Sequence, residues 1–429
     1  MIWLFLIAFV GLLCVGIPIA IGLGSSALAY ILMSGDDISL TILTQTTFAG
    51  MASFPLLAIP LFMLAGNLMN EGGLTQDLVR FARLLLGHIS GGLGLATILA
   101  SAIFAAISGA AVATAVAIGM VMIPAMKQAG YEEDVSAAVT ATASCMGPII
   151  PPSIPFIVYG VIANVSIGGL FLGGVIPGIL LAAGLMFYMY YIAKKRRYPI
   201  EPRSSFREVV VGAWKALPAL LMPVIIMGGI LSGVFTPTEA AGVVVVYSFL
   251  VGTFFYRRIK WHRLPDVLLN AGLESAMIML LLGLSEPFSW VVAVEQLPQH
   301  MIAAINSVSS SPIVVLMLIN IALIIIGIPI ETAPALVIVA PMLAPMAVKL
   351  GIDPIHMGVV VCFNLVIGLI TPPVGAVLFA VCGLSNMSLE KLSKAIWAPF
   401  WIALAVLALI TYIPALSTFL PNLLMSGIK

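Results

Sequence analysis

A Pro-Pro pair interrupts two hydrophobic segments of this chain, and the two interruptions match. The pairs Pro151-Pro152 and Pro372-Pro373 lie 221 residues apart. The same offset aligns other Gly and Pro residues, namely Gly147 with Gly368, Pro124 with Pro345, and Gly130 with Gly351. One offset that holds through the whole stretch indicates an internal duplication. Interrupted hydrophobic segments at corresponding places in two halves are typical of the ion and substrate sites of secondary transporters.

The composition predicts an all-α polytopic membrane protein. Of 429 residues, 62% are hydrophobic and only 8% are charged, whereas a soluble domain carries roughly 25% charged residues. The apolar runs 1–33 and 167–192 exceed the ~20 residues that span a bilayer as a helix. They do not alternate in polarity as barrel strands do. The first run lacks the basic start and cleavage pattern of a signal peptide, so we expect it to be a membrane helix.

Clusters of basic residues predict the orientation. The tracts 194–197 and 257–260 are both expected to face the cytoplasm, and the hydrophobic segments 214–232 and 238–256 return the chain to the same side. The last segment, 395–420, then leaves the C-terminus in the periplasm. Of the 18 Lys and Arg residues, only Lys349 and Lys429 fall outside.

Two further hydrophobic stretches are interrupted before the Pro-Pro breaks, 89–127 at residues 108–110 and 310–349 at residues 327–331. Each is compatible with two full spans or with a re-entrant helical hairpin, and the duplication favours hairpins. Five crossings separate the two hairpins, at 132–165, 168–192, 214–232, 238–256 and 264–284. Since five is odd, we expect the two repeats to have inverted topology, each with one hairpin and one broken helix.

Two short amphipathic segments, Leu74–Leu86 and 297–305, precede the hairpins. They are interpreted as interfacial arms that link a static to a mobile part, or as ordinary loop helices. The predicted organisation is therefore 1–88 N-terminal scaffold helices and arm, 89–165 transport repeat 1, 166–309 scaffold helices, cytoplasmic linker and second arm, 310–388 transport repeat 2, and 389–429 C-terminal scaffold helix.

The breaks and tips are the predicted cation sites. A helix broken inside a membrane exposes carbonyl oxygens that need partners, and a dehydrated Na⁺ can satisfy several of them. Proline contributes by removing N–H donors. The candidate ligands are Ser108, Ala110, Gly147, Ile150 and Pro152 in the first half, and Gly327, Pro329, Glu331, Gly368, Thr371 and Pro373 in the second. The alternative is that Gly and Pro only kink packed helices.

Glu331 is the most informative acidic residue, because acids deep in apolar sequence are functional hypotheses by default. It could bind a cation, carry a proton or bind substrate, or it could be a hydrated tip carboxylate. The substrate-binding candidates are Asn67, Ser153, Glu331 and Asn364, and interhelical packing is the alternative for the two asparagines. Glu239 is predicted to cap a helix N-terminus.

Several other classes of site are not indicated. No Lys or Arg lies at the hairpin tips or breaks, so an anionic substrate would be held by helix N-termini and backbone N–H groups. The four His and four Cys residues are dispersed without metal or redox spacing. No nucleophile and base pair or phosphate loop is present, so enzymatic activity and a resident cofactor are not expected, and no basic and aromatic patch predicts nucleic-acid binding.

At these motifs the chain resembles the large membrane subunit of tripartite ATP-independent periplasmic (TRAP) transporters, of the DctM or SiaM type. The resemblance covers essentially the whole chain. It is carried by residues 54–62 (FPLLAIPLF), 65–67 (AGN), 108–114 (SGAAVAT), 147–153 (GPIIPPS), 327–331 (GIPIE) and 370–373 (ITPP).

The resemblance implies more than the spacing does. It implies an elevator mechanism in a bacterial inner membrane, with one Na⁺ at each pair of hairpin and break. It implies two partners, a small four-helix membrane subunit (Q), here expected as a separate chain, and a soluble periplasmic substrate-binding protein (P). Family substrates are mostly carboxylates, and the likeness is to the sialic acid branch. The competing hypotheses are a C4-dicarboxylate or other carboxylate TRAP system, an autonomous Na⁺/dicarboxylate elevator carrier, and a channel or membrane scaffold.

Overall fold

The computed structural model describes residues 2–34, 39–301 and 311–425, and this part of the chain is helical with no strand. Its nineteen α-helices are α1 Ile2–Cys14, α2 Ile19–Met33, α3 Thr41–Met51, α4 Ala58–Glu71, α5 Leu74–Leu86, α6 Gly92–Ser108, α7 Ala111–Gln128, α8 Glu133–Ser144, α9 Ile154–Ile162, α10 Ile167–Arg196, α11 Phe206–Leu231, α12 Pro237–Leu250, α13 Leu264–Val294, α14 Pro312–Gly327, α15 Thr332–Lys349, α16 Pro354–Gly368, α17 Ala376–Ser385, α18 Leu389–Tyr412 and α19 Ala415–Met425.

Eight helices within the described ranges are long and apolar enough to cross a membrane. They are Phe54–Glu71, Ala111–Gln128, Ile167–Arg196, Phe206–Leu231, Pro237–Phe255, Trp261–Val294, Thr332–Lys349 and Leu389–Tyr412. The all-α polytopic architecture expected from composition is therefore confirmed.

The duplication is present in the helix boundaries. The helices α7 and α15 start at Ala111 and Thr332, and α8 and α16 start at Glu133 and Pro354, so the offset is 221 residues in both pairs. Each half contains a helical hairpin, α6–α7 or α14–α15, followed by a broken helix, α8–α9 or α16–α17. The segments counted between the two hairpins are also present, as α8–α9, α10, α11, α12 and α13.

The two broken helices meet at equivalent residues. The Cys145 thiol lies 3.8 Å from the carbonyl oxygen of Val366, exactly one repeat offset of 221 residues away. The Cys362 thiol in turn lies 3.8 Å from the Pro155 carbonyl oxygen. A residue that contacts its own counterpart lies next to the axis relating the halves, so this buried contact marks the centre of the repeat pair.

The first amphipathic segment forms the predicted helix, α5, with the predicted bounds Leu74–Leu86. It is joined to other elements by ion pairs at both ends. Asp77 is 3.1 Å from Arg258, in the loop after α12, and Arg83 is 2.5 Å from Glu201, in the polar linker between α10 and α11. Of the second arm, 297–301 is helical, and 302–305 lies outside the described residues.

The polar linker also contacts the loop between α7 and α8. Glu132 in that loop pairs with Arg196 at the end of α10, and it accepts a hydrogen bond from the Tyr198 hydroxyl at 3.2 Å. The Tyr198 ring stacks on Tyr131, with centroids 4.3 Å apart. Burial raises the pKa of both tyrosines above the ordinary range, so their hydroxyls stay protonated at neutral pH. These contacts tie the cytoplasmic corner of repeat 1 to α10.

The C-terminal region differs from the prediction of one helix. It contains two helices, α18 and α19, separated at Ile413-Pro414. Pro414 has no backbone N–H and restricts the residue before it, and Ile413 accordingly adopts an extended conformation (φ −122°, ψ 82°). The second helix packs on α16, where the Ser417 hydroxyl lies 2.7 Å from His356 Nδ1.

Candidate functional site

In the first half, the hairpin tip and the helix break touch through their backbones. Gly109, with φ +64°, turns the chain between α6 and α7. The break runs from Cys145 to Ser153 between α8 and α9. A Cβ atom on Gly147 would lie 2.6 Å from the Ala110 carbonyl oxygen, which is closer than real Cβ atoms approach. Only glycine therefore permits this contact.

The second half repeats the arrangement. The helix α16 ends at Gly368 and α17 begins at Ala376. A Cβ atom on Gly368 would lie 2.5 Å from the carbonyl oxygen of Gly327, the last residue of α14. The Gly375 N–H, at φ +59°, points to the Ile328 carbonyl oxygen at 3.5 Å. The predicted tip and break residues are thus brought together twice, at equivalent positions.

Both breaks contain carbonyl oxygens without donors. Within the described ranges, no protein group donates a hydrogen bond to the carbonyls of five predicted ligands, namely Gly147, Ile150, Pro152, Thr371 and Pro373. The other break carbonyl among the candidates, that of Gly368, accepts from Thr371 N–H at 3.0 Å. Free carbonyl oxygens inside a membrane need a cation, water or another donor, and a hard cation prefers such oxygen ligands. Their role as Na⁺ ligands stays a prediction.

Two hydroxyls at the first tip form a pair that sequence reasoning did not single out in full. The Ser108 and Thr114 hydroxyls are 2.8 Å apart, and Thr114 donates to the Ala110 carbonyl at 2.8 Å. Thr114 Oγ1 would also lie 2.9 Å from a Cβ on Gly147. The signal for Thr114 was its spacing, because a hydroxyl four residues after Ala110 on a helix reaches back to that carbonyl.

The second tip carries polar groups with no partner. Glu331 directly precedes α15, but its side chain is exposed and does not cap the helix. The neighbouring Thr332 hydroxyl is buried and has no hydrogen-bond partner, and Pro329 is exposed. The exposure of Glu331 fits a tip carboxylate that is hydrated in this conformation, and Thr332 is an additional polar group that the sequence reasoning missed.

The substrate candidates are each bonded within the protein. Asn67 Nδ2 donates to Glu274 at 3.3 Å, between α4 and α13. Asn364 Nδ2 donates to Asn320 Oδ1 at 2.7 Å, which favours the packing interpretation for both asparagines. The buried Ser153 hydroxyl donates to the Pro148 carbonyl at 2.5 Å and accepts from Phe156 N–H, so it caps α9.

Glu239 has the capping role predicted for it. Its carboxylate accepts from the Thr236 N–H at 2.8 Å, and the Thr236 hydroxyl accepts from the Glu239 N–H at 3.3 Å. This capping box satisfies donors at the start of α12. Among the described residues, no group of three or more His, Cys, Asp or Glu side chains could hold a metal ion.

Comparison with known proteins identifies the family to which this arrangement belongs. Residues 6–416 match the family model described as "Tripartite ATP-independent periplasmic transporter, DctM component". The chain belongs to the DctM family. It is therefore a TRAP transporter large permease subunit, a polytopic transport protein and not a member of an enzyme family.

Curated DctM-family relatives match along nearly the whole chain. The sialic acid TRAP transporter large permease protein SiaM of Vibrio cholerae is 39% identical over 415 residues, covering 97% of each chain. The C4-dicarboxylate TRAP transporter large permease protein DctM of Pseudomonas aeruginosa is 42% identical over 398 residues, covering 93% of each chain. The isethionate TRAP transporter permease protein DctMQ of Oleidesulfovibrio alaskensis is 42% identical over 408 residues. That match covers 95% of this chain but only 64% of the relative, less than two thirds of its length.

The fold of this DctM-family chain also matches a solved structure. The YdaH transporter of Alcanivorax borkumensis, whose structure is described as having an unusual topology, superposes with a TM-score of 0.63. The match covers 88% of this chain and 89% of YdaH, at 16% sequence identity. The likeness is therefore one of fold alone.

Proposed function

We propose that this DctM-family chain imports an organic anion together with Na⁺, by an elevator movement of its two repeats. One observation carries the proposal. Each hairpin tip touches a helix break through glycine, and unpaired carbonyl oxygens lie at both breaks. A dehydrated monovalent cation at each break would supply the positive charge that these carbonyls lack. Removing the cation would leave them without partners in a low-dielectric environment.

Coupling to an anionic substrate follows from the same geometry. With no basic side chain at the tips or breaks, positive charge near the substrate would come from the bound cations and from helix N-termini. Substrate would then bind well only to the cation-loaded protein, because both ligands favour the same arrangement of tip and break. Asn67, Ser153, Glu331 and Asn364 remain the candidates for substrate contacts.

The elevator proposal rests on how the repeats are joined to the rest of the chain. The two broken helices contact each other at Cys145 and Val366, which favours movement of the repeats as one body. The surrounding helices are connected to them through α5, the polar linker and the segment that includes 297–305. Such connections allow a mobile body to slide while a scaffold formed by α10–α13 stays in place.

The proposed partners are a small membrane subunit (Q) and a periplasmic substrate-binding protein (P). The family description includes the word "periplasmic", and the relative named DctMQ is longer than this chain. We propose that the small subunit is a separate chain here. The inner membrane is the proposed location, with the C-terminus in the periplasm.

Sialic acid (N-acetylneuraminate) is the substrate we propose to test first. The relatives named for sialic acid, C4-dicarboxylate and isethionate are 39%, 42% and 42% identical to this chain, so the class they share is a small organic anion. C4-dicarboxylate uptake is the second candidate, because DctM of Pseudomonas aeruginosa matches along 93% of this chain.

Reconstitution in proteoliposomes tests the proposal. The chain would be combined with the small subunit and each candidate binding protein, and uptake of radiolabelled sialic acid, succinate and isethionate measured with and without an inward Na⁺ gradient. We expect saturable accumulation that needs both Na⁺ and a binding protein. Uptake without any binding protein would instead indicate an autonomous carrier. Equal uptake with K⁺ replacing Na⁺ would overturn the proposed coupling ion.

A further inference from the structure

A cavity of about 430 Å³ lies beside the amphipathic helix α5, away from the tips and breaks. Its lining comes from three elements: α5, the hairpin helix α7, and the polar linker after α10. The lining residues are Gln76, Val79, Arg80, Arg83, Leu84, Val121, Glu201 and Ser204. The linker follows the basic tract 194–197, so the positive-inside rule places this cavity at the cytoplasmic interface.

The two arginines of the cavity differ in their charge balance. Arg83 pairs with Glu201 at 2.5 Å. Arg80 is exposed and has no carboxylate within 4 Å in the part of the chain that the structure describes. The nearby Glu208 carboxylate already accepts from Ser205 N–H and Oγ, at 2.7 and 2.9 Å. Arg80 therefore leaves the cavity with an uncompensated positive charge.

The rest of the cavity suits an amphipathic ligand. The Ser204 hydroxyl and the Gln76 amide offer further donors, while Leu84 and Val121 supply an apolar wall. The helix α5 buries Leu74 and Leu78 against the protein and turns its charged residues toward the interface. Its position beside the exposed Arg203 and Arg207 matches the level of anionic lipid headgroups in the inner leaflet.

We propose that this cavity binds the headgroup of an anionic phospholipid. The phosphodiester oxygens accept hydrogen bonds from the Arg80 guanidinium and the Ser204 hydroxyl, and the glycerol and first methylenes pack on Leu84 and Val121. The bound lipid contacts the arm, the linker and the first hairpin together. This site is independent of the Na⁺ and substrate proposals, because none of its residues lies at a tip or break.

Lipid retention tests the site directly. The purified protein would be delipidated in mild detergent and mixed with phosphatidylglycerol or phosphatidylcholine, with bound lipid counted by native mass spectrometry. We expect selective retention of phosphatidylglycerol, and about five-fold weaker retention in Arg80→Ala, the change that corresponds to about 1 kcal/mol per arginine at an anionic surface. The matched control is Arg263→Ala, another exposed arginine expected on the cytoplasmic side, 3.9 Å from Asp266, which should retain lipid as the wild type does.

Two further arms make the result decisive. Glu201→Gln releases Arg83 from its partner and should increase phosphatidylglycerol retention. Inorganic phosphate should neither displace the lipid nor raise the melting temperature as the lipid does. Equal retention by Arg80→Ala and wild type, an equal loss in Arg263→Ala, or protection by phosphate alone would each overturn the proposal.

Discussion

At the residue scale, glycine decides how closely each tip approaches its break. The Gly147 and Gly368 Cα atoms occupy positions where a methyl group would meet a backbone carbonyl at 2.6 and 2.5 Å. Backbone carbonyls cannot rotate away as a flexible side chain can. A single added methyl group must therefore push the tip from the break.

We expect Gly147→Ala to reduce Na⁺-dependent uptake while the protein still inserts in the membrane. Strain from overpacking is about 1–3 kcal/mol, which corresponds to about a ten-fold or larger loss of apparent Na⁺ affinity if it acts on the cation site. The Na⁺ concentration for half-maximal uptake is the measurement. Gly242→Ala is the control, because a Cβ there has nothing within 4 Å. Unchanged Na⁺ dependence in Gly147→Ala would contradict the role of this contact.

Thr371 offers a test of the second cation site. Its hydroxyl donates to the Ile367 carbonyl at 2.8 Å in the structure, and it lies within the second break. We expect Thr371→Val to weaken the Na⁺ dependence of uptake. Thr47→Val removes a hydroxyl with the same type of bond, to Leu43 at 2.7 Å, and should have no such effect. A Na⁺ titration that is the same in all three proteins would remove Thr371 from the predicted ligands.

Glu331 is tested by a substitution that keeps its shape. Glu331→Gln removes the negative charge at the second tip, and we expect transport to fall without loss of membrane insertion. Uptake and the amount of protein in the membrane would be measured together. Glu71→Gln, at the exposed end of α4, should leave transport unchanged. Full uptake in Glu331→Gln would show that the carboxylate is only a hydrated surface group.

At the scale of helices, local sequence signals predicted some boundaries well. The bounds of α5 follow from its amphipathic period and agree with the structure. The helix α11 instead starts at Phe206, earlier than the hydrophobic segment at 214, because the Ser205 and Glu208 capping box begins a helix before the chain becomes apolar. Hydropathy marks where a segment enters the membrane, and capping marks where the helix begins.

The capping box at α12 gives a prediction for stability. Thr236→Ala removes the hydroxyl that accepts from Glu239 N–H, and the loss of such a cap is about 1 kcal/mol. We expect a melting temperature a few degrees lower in detergent, with Na⁺ dependence unchanged. Ser232→Ala removes an exposed hydroxyl from the same loop and should leave the melting temperature unchanged. A larger loss in Ser232→Ala would contradict the capping interpretation.

At the scale of the whole molecule, the repeat order could be predicted from sequence and the side-chain partners could not. The offset of 221 residues predicts which tip and break correspond, because a duplicated chain repeats its local breaks. The partner of Asn364 is Asn320, which in turn donates to Thr411 at 3.0 Å. These three residues are on three different helices, and their contacts depend on packing that no local pattern specifies.

Crosslinking tests whether repeat 1 moves against the scaffold. Glu132 and Arg196 are paired across the proposed boundary. We expect Glu132→Cys with Arg196→Cys to stop uptake when crosslinked and to recover it on reduction. Cys14 and Cys382 would be replaced by Ser, since Cys145 and Cys362 are buried.

The control joins two residues on the same side of that boundary. Asp77 and Arg258 are paired between α5 and the loop after α12, and a crosslink between cysteines at these positions should leave uptake intact. Full uptake by the crosslinked 132 and 196 pair would exclude relative motion at this boundary. Loss of uptake in both pairs would indicate that crosslinking itself damages the protein.

The contact between Cys145 and Val366 has an evolutionary consequence. Most positions in a duplicated chain can diverge freely from their counterparts, because the two copies have different neighbours. These two residues are each other's neighbours, so a bulkier side chain at either one must be accommodated by the other. Divergence of the two ancestral copies is therefore restricted at this point to pairs of side chains that fit together.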